Sequence, residues 1–440
     1  MTTVTPMVPP VAVPGPGAPD VVPPPSLPLS FLGAAGVGLV GAGVGVALAS
    51  DKFVNSPMND GALSAVHVTM LAFLSTAVLG ALHQFGPVVA RRKLRSVGVG
   101  WATLIGWVAT AWLIPTGFAH GYENLVATGA VVGAVSVVLA VYNLSGPLLS
   151  SDHSLPLWGL RASVTLFVLT VTFGVVYAFD RQAGWFPLLP NRVMAHAHLG
   201  LLGWLGLTYV AVAEKLWPMF LLAHRPSSKE GVAAVGLMSS GAVVLTPGLL
   251  FGVPALSWAG GILVVAGLVA HVLSLRACVI HRRRKLELLH AFLFISVGFL
   301  VVAVALAAVI GFANLSTLTR VRLISAEVAA IAAWLGLAVI GHTHKIVPFI
   351  GYSALRGRGI NKAPSGKPLL FGDLFNLKAA KATLVLTTAG FAGVVGGLIV
   401  GEIWPVRLGA AAISIAGLTV TLNLAITPRG VIAAHKEATA

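Results

Sequence analysis

The sequence predicts an all-α integral membrane protein of about twelve transmembrane helices, set in three four-helix arcs with pseudo-threefold symmetry. Three observations predict it: a composition too apolar for a water-soluble core, apolar runs of spanning length along nearly the whole chain, and an internal repeat of about 130 residues.

Hydrophobic residues make up 57% of the chain and charged residues 9%, far more apolar surface than a soluble fold of this length could bury. A spanning helix needs roughly 20 mainly apolar residues. Such segments lie at about 29–49, 62–84, 97–119, 124–146, 157–179, 193–217, 230–251, 255–275, 288–310, 325–348, 381–401 and 405–427. The joints between them are short, so no separate soluble domain is expected. Residues 1–28, with Pro-Pro pairs and Gly-Pro, lack the basic start and apolar run of a signal peptide and read as a disordered, Pro-rich cytoplasmic tail. Residues 29–427 then form a single membrane domain, with repeats at about 29–150, 151–285 and 286–427, and 428–440 form a second cytoplasmic tail.

The formal charge of +15 would suggest nucleic acid in a soluble protein. Here Lys and Arg concentrate in alternate loops, which is the pattern of the positive-inside rule, so the expected partner is the lipid bilayer and not nucleic acid. With both termini in the cytoplasm, Arg91, Arg92, Lys93 and Arg95, the run Arg282 to Lys285, and the loop from Arg356 to Lys381 all fall inside. Only Lys52, Arg181, Arg192, Arg320, Arg322 and Arg407 of the 28 basic residues fall outside. A multi-pass protein of the plasma membrane is the resulting expectation, its long basic loop mobile and close to anionic headgroups. The single cysteine, Cys278, excludes an internal disulfide, and no Cys-x-x-Cys-His occurs for covalent haem attachment.

The repeat appears when the second, sixth and tenth segments are aligned on the proline that closes each: Pro87, Pro218 and Pro348, spaced by 131 and 130 residues. Trp-Leu-Gly-Leu from Trp204 then matches Trp-Leu-Gly-Leu from Trp334, Phe73 takes the same place in the first copy, and Lys215 matches Lys345. Residues sharing a column should share a depth in the membrane.

An ionisable side chain inside a bilayer is costly and is a functional candidate by default. Twenty residues before the proline stand His67 and His198, with Val328 in the third copy. Imidazoles from two facing helices are what a six-coordinate haem iron requires, so His67 and His198 are the expected axial pair. His196 lies two residues earlier, about 200° around the helix, and would serve a second haem. The plainer alternative has these rings bonded to carbonyls or interfacial water. Four residues before the proline the column reads His83, Glu214 and His344, with His342 nearby. Those four are a candidate site for copper or another transition metal, against the alternative that they reach water at the boundary. His271 and His290 are expected to be interfacial, as are Trp158, Trp185, Trp217 and Trp404, while Trp204 and Trp334 are candidates for a pocket.

The run Ala-His196-Ala-His198-Leu-Gly-Leu-Leu-Gly-Trp, closing at Pro218, resembles the His-x-His helix of heme-copper oxidase subunit I, in particular nitric oxide reductase-type catalytic subunits. The His67 segment, followed by Met70, Phe73 and Gly80, is similar to the second helix of that superfamily, which donates a low-spin haem ligand. The resemblance implies twelve helices in three arcs, non-covalent haem b (one or two copies), and an oxidoreductase-type role in electron transport or in binding a gas such as nitric oxide or oxygen. It departs from the family pattern in two ways. The family's His-x-His lies on helix ten and here it lies on the sixth segment; and the seventh segment, which should carry an adjacent histidine pair for the active metal, has no histidine. A standard copper-containing binuclear centre is therefore not expected, and no catalytic residue can be assigned. The partners implied are an electron-donor protein or respiratory subunits. Two rival readings stand beside it: a haem-free copper transporter or chaperone, and a structural subunit of a respiratory complex.

Overall fold

A computed structural model describes residues 21–224 and 229–439, and these fold into helices joined by short connections. Among the described residues twelve helices are long and apolar enough to cross a membrane. In chain order the spans are 1 (Ser26–Leu48), 2 (Asp60–Ala90), 3 (Val97–His120), 4 (Glu123–Leu148), 5 (Leu155–Ala183), 6 (Pro190–Leu221), 7 (Lys229–Phe251), 8 (Pro254–Ile280), 9 (Leu288–Phe312), 10 (Thr317–Gly357), 11 (Leu377–Val400) and 12 (Ile403–Gly430). Large apolar side chains such as Leu48, Ile105, Val138 and Phe312 are exposed around the bundle. Surface of that kind belongs against lipid tails, so the chain is a multi-span membrane protein.

The expected amino-terminal tail, 1–28, lies mostly outside the described residues, and span 1 begins at Ser26. Residues 428–439, read from the sequence as a tail, continue the last helix, which runs Ile403–Thr439.

Spans 2, 6 and 10 form the interior: 67%, 83% and 67% of the residues in their apolar windows are buried, against 33–44% in the other nine. Their prolines do not end them. Pro87, Pro218 and Pro348 all lie inside helix, because neighbouring helices and local backbone adjustments accommodate the missing donor in a membrane bundle. Spans 2 and 6 instead stop four residues later on a left-handed residue, Arg91 (φ 51) and Leu222 (φ 48). The next amide in each case, of Arg92 or Ala223, donates back to the proline carbonyl.

Spans 2 and 6 share a second irregularity that sequence reading did not anticipate. Directly after His67 and directly after His198, the helix widens into π geometry over Val68–Ser75 and Leu199–Gly206. Such segments are rare, and those that occur are frequently at functional sites. The Leu71 carbonyl in the first accepts from the Thr76 hydroxyl (2.8 Å) and the Trp107 indole (3.3 Å). Trp204, in the second, donates to Ser75 Oγ at 3.2 Å, which ties the two widened turns together.

The loop expected to be mobile is folded. Leu355, Ile360, Ala363, Leu369 and Leu374 make a small core of their own, closed by a bridge between Lys362 and Pro368 and a 3-10 turn over Phe371–Leu374.

Candidate functional site

A cavity of about 260 Å³ lies among spans 2 to 6, with a short stretch of span 10 (Val321 to Val328) closing one side. That is near the lower bound of the ~300–1,000 Å³ typical of small-molecule sites. Its walls are almost wholly apolar, with Trp107, Phe118, Phe167 and Trp204 among the largest side chains and Gly133, Gly174 and Gly200 where the wall must be thin.

Two histidines face into it, His67 and His196. His67 Nδ1 bonds the Leu63 carbonyl at 2.7 Å; if that nitrogen carries the proton, Nε2 holds the lone pair. The ring packs against Phe118, with 5.0 Å between centroids. His196 is held differently. The carbonyl one turn back, of Arg192, is already taken by the Tyr177 hydroxyl (2.9 Å), and Nδ1 of His196 is buried without a hydrogen-bond partner. Gly174 on span 5 borders the ring, where an added Cβ would make van der Waals contact with Cε1 at 3.4 Å. The two imidazoles are close enough to interact electrostatically.

His198, expected to share this site with His67, does not line the cavity, and the histidine of span 6 that does is His196. His198 bonds the Met194 carbonyl at 2.9 Å and lies within electrostatic reach of Glu327 on span 10. The physical reason is helical geometry: side chains two apart leave opposite faces, so only one of the two can enter the slot. Column alignment put His198 at the start of a π segment matching the one after His67 and could not fix its direction.

The outer rim is an ion cluster. Arg181 on span 5 donates to both oxygens of Asp60 at the start of span 2 (2.9 and 3.1 Å) and to both oxygens of Glu123 at the start of span 4 (2.6 Å each). It also lies 5.1 Å over the Phe118 ring. Bidentate pairs of this kind give directional strength, while partial exposure limits it. Arg181→Leu should lower stability by about 1–2 kcal/mol and loosen the cavity's outer walls, read as a lower melting temperature in detergent and faster loss of any bound cofactor.

The four residues expected to hold a metal do not meet. His83 stacks on Phe31 of span 1; Glu214 accepts from Ser274 of span 8 at 2.5 Å; His342 lies by Tyr209 and Phe220; His344 stacks on Phe292 of span 9. Among the described residues no three His, Cys, Asp or Glu side chains gather as a ligand set. A shared column in the alignment did not mean a shared face.

His271, His290 and Trp217, expected at the interface, are buried instead, at 0%, 3% and 2% exposure. The signal available in the sequence was Ser274, one turn from His271 on the same face of an otherwise apolar helix. Trp158, Trp185 and Trp404 are exposed, as interfacial anchors should be. Trp204 lines the cavity under a stacked Phe167 (4.0 Å between centroids), whereas Trp334 is buried beside Tyr209. No protein-family model matches this chain, and no curated protein gives a significant match.

Proposed function

We propose that this chain binds non-covalent haem and transfers electrons, as a divergent relative of heme-copper oxidase subunit I with three arcs around spans 2, 6 and 10. The observation that carries the reading is that His67 and His196 face one apolar cavity from two neighbouring inner helices. A macrocycle needs a hydrophobic slot with imidazoles in its walls, and while the His196 ring meets the Thr170 backbone on one side, its buried Nδ1 is a polar atom in want of a partner. Bound haem would supply a one-electron redox centre. His67 and His196 would hold it, Phe118 and Trp204 would exclude water, and the Arg181 clamp would close the outer mouth.

Filling both axial positions favours electron transfer over gas binding. The burial of spans 2, 6 and 10 and the matched π turns support the three-arc reading, and the basic residues of alternate loops support cytoplasmic termini in a plasma membrane. The test is a reduced-minus-oxidised spectrum of the purified protein: a b-type signal is expected, and a protein that yields no such signal even after haem is supplied during expression rules the reading out.

A further inference from the structure

The bundle holds a second group of buried polar atoms, on the side toward the basic loops and about one turn of span 6 beyond the cavity-lining Leu205. Tyr209 of span 6 is at its centre. The ring of His271, span 8, is 5.4 Å from the Tyr209 ring between centroids, and that of His342, span 10, is 6.1 Å away. Both histidines are nine-tenths buried or more. Both nitrogens of His271, Nε2 of His342, the Tyr209 hydroxyl and the Trp217 indole N–H are buried without hydrogen-bond partners. The indole lies beside the Tyr209 hydroxyl, though neither reaches hydrogen-bond geometry in its present position. His290 of span 9 lies within electrostatic reach of His342.

Each unpartnered buried polar atom costs roughly 1–3 kcal/mol, and in a membrane interior such groups persist where they do something. What sets this group apart is convergence. His83 and His344 each have an unpartnered Nε2 too, but each stacks on a phenylalanine, whereas here the rings of His271 and His342 both pack on Tyr209, so that three spans contribute side chains with unpartnered nitrogen or oxygen to one group.

We propose that His271, His342 and Tyr209 form a transition-metal site that takes a copper or zinc ion. Imidazole nitrogens suit both ions, and a phenol oxygen completes a three-ligand set in which only two members are histidines. His342 has the backbone tie compatible with ligation: its Nδ1 bonds the Ala338 carbonyl at 2.7 Å, as several other helical histidines of this chain bond the carbonyl one turn back, which leaves Nε2 to an ion. The Trp217 N–H is placed to donate to the phenol oxygen once that oxygen carries negative charge.

The site is independent of the haem reading, and the experiment keeps them apart. Full-length protein is purified in detergent, stripped with chelator, exposed to Cu(I), Cu(II) or Zn(II), and passed through gel filtration before elemental analysis. About one ion per chain is expected to remain, with affinity at least ~10-fold lower in His271→Ala and His342→Ala and unchanged in His67→Ala. Tyr209→Phe keeps the ring packing, so it guards against variants that fail to fold; it should weaken binding and remove the phenolate-to-Cu(II) absorption band. Retention of no ion by the parent protein, the outcome for a cluster filled by ordered water, overturns the proposal. So does equal metal content in the parent and in folded His271→Ala and His342→Ala.

Discussion

His196→Ala is expected to abolish the b-type spectrum of the purified protein, and His198→Ala is expected to leave it in place. Losing an axial ligand should reduce haem retention by at least the roughly 10- to 100-fold that even outer-shell changes cost at metal sites. His67→Ala should match His196→Ala, because the two rings face the same cavity. His198 bonds its own helix and neighbours Glu327, so its removal disturbs the contact with span 10 and not the slot. The contrast is informative because the two histidines are only two residues apart. A general loss of folding would affect both variants alike, and the reverse ordering would return the pairing to His67 with His198.

The second large effect is expected at Gly38 on span 1. A Cβ there would run into the Ala72 carbonyl and stand 2.7 Å from Phe73 N, both within the widened turn of span 2. Backbone cannot yield as a side-chain tip can, so Gly38→Leu should destabilise the bundle by about 3 kcal/mol or more, above the usual range for overpacking. Gly33, on the same helix, has nothing within 4 Å of its added Cβ. Gly33→Leu should therefore melt at or above the parent temperature, since glycine is a poor helix former. Thermal unfolding in one detergent, followed by circular dichroism, compares the two directly. Equal melting temperatures would mean that spans 1 and 2 do not pack so closely.

Much of the architecture was legible because membrane helices announce themselves by length and hydropathy. All twelve segments are present in the structure, their edges moved by a few residues or, at the polar ends of span 10, by more. Two copies of the repeat left a trace in the fold: the columns through His67 and His198 fall at the starts of matched π turns. What stayed hidden was azimuth. Hydropathy does not separate a helix face turned to lipid from one turned to a neighbour when both are apolar, so His196 and His198 could not be ordered. The same limit scattered His83, Glu214, His342 and His344, which lie at or near one column of the alignment and face different neighbours. His271 was misplaced for a related reason, because closeness to a helix end was taken as closeness to water. In the fold its helix is covered there by span 6, and the ring is wholly enclosed.

The widened turns have a consequence for the histidines above them. A π turn is an α-helix carrying one surplus residue, so deleting a single residue between 68 and 75 would let span 2 relax to regular geometry and rotate everything outward of that point by about 100° relative to the lower half. His67 would swing off the slot while His83, below the turn, kept its bearing. The same deletion between 199 and 206 would re-aim His196 and leave Glu214 where it is, so each surplus residue acts as the angular setting of the imidazole one turn above it.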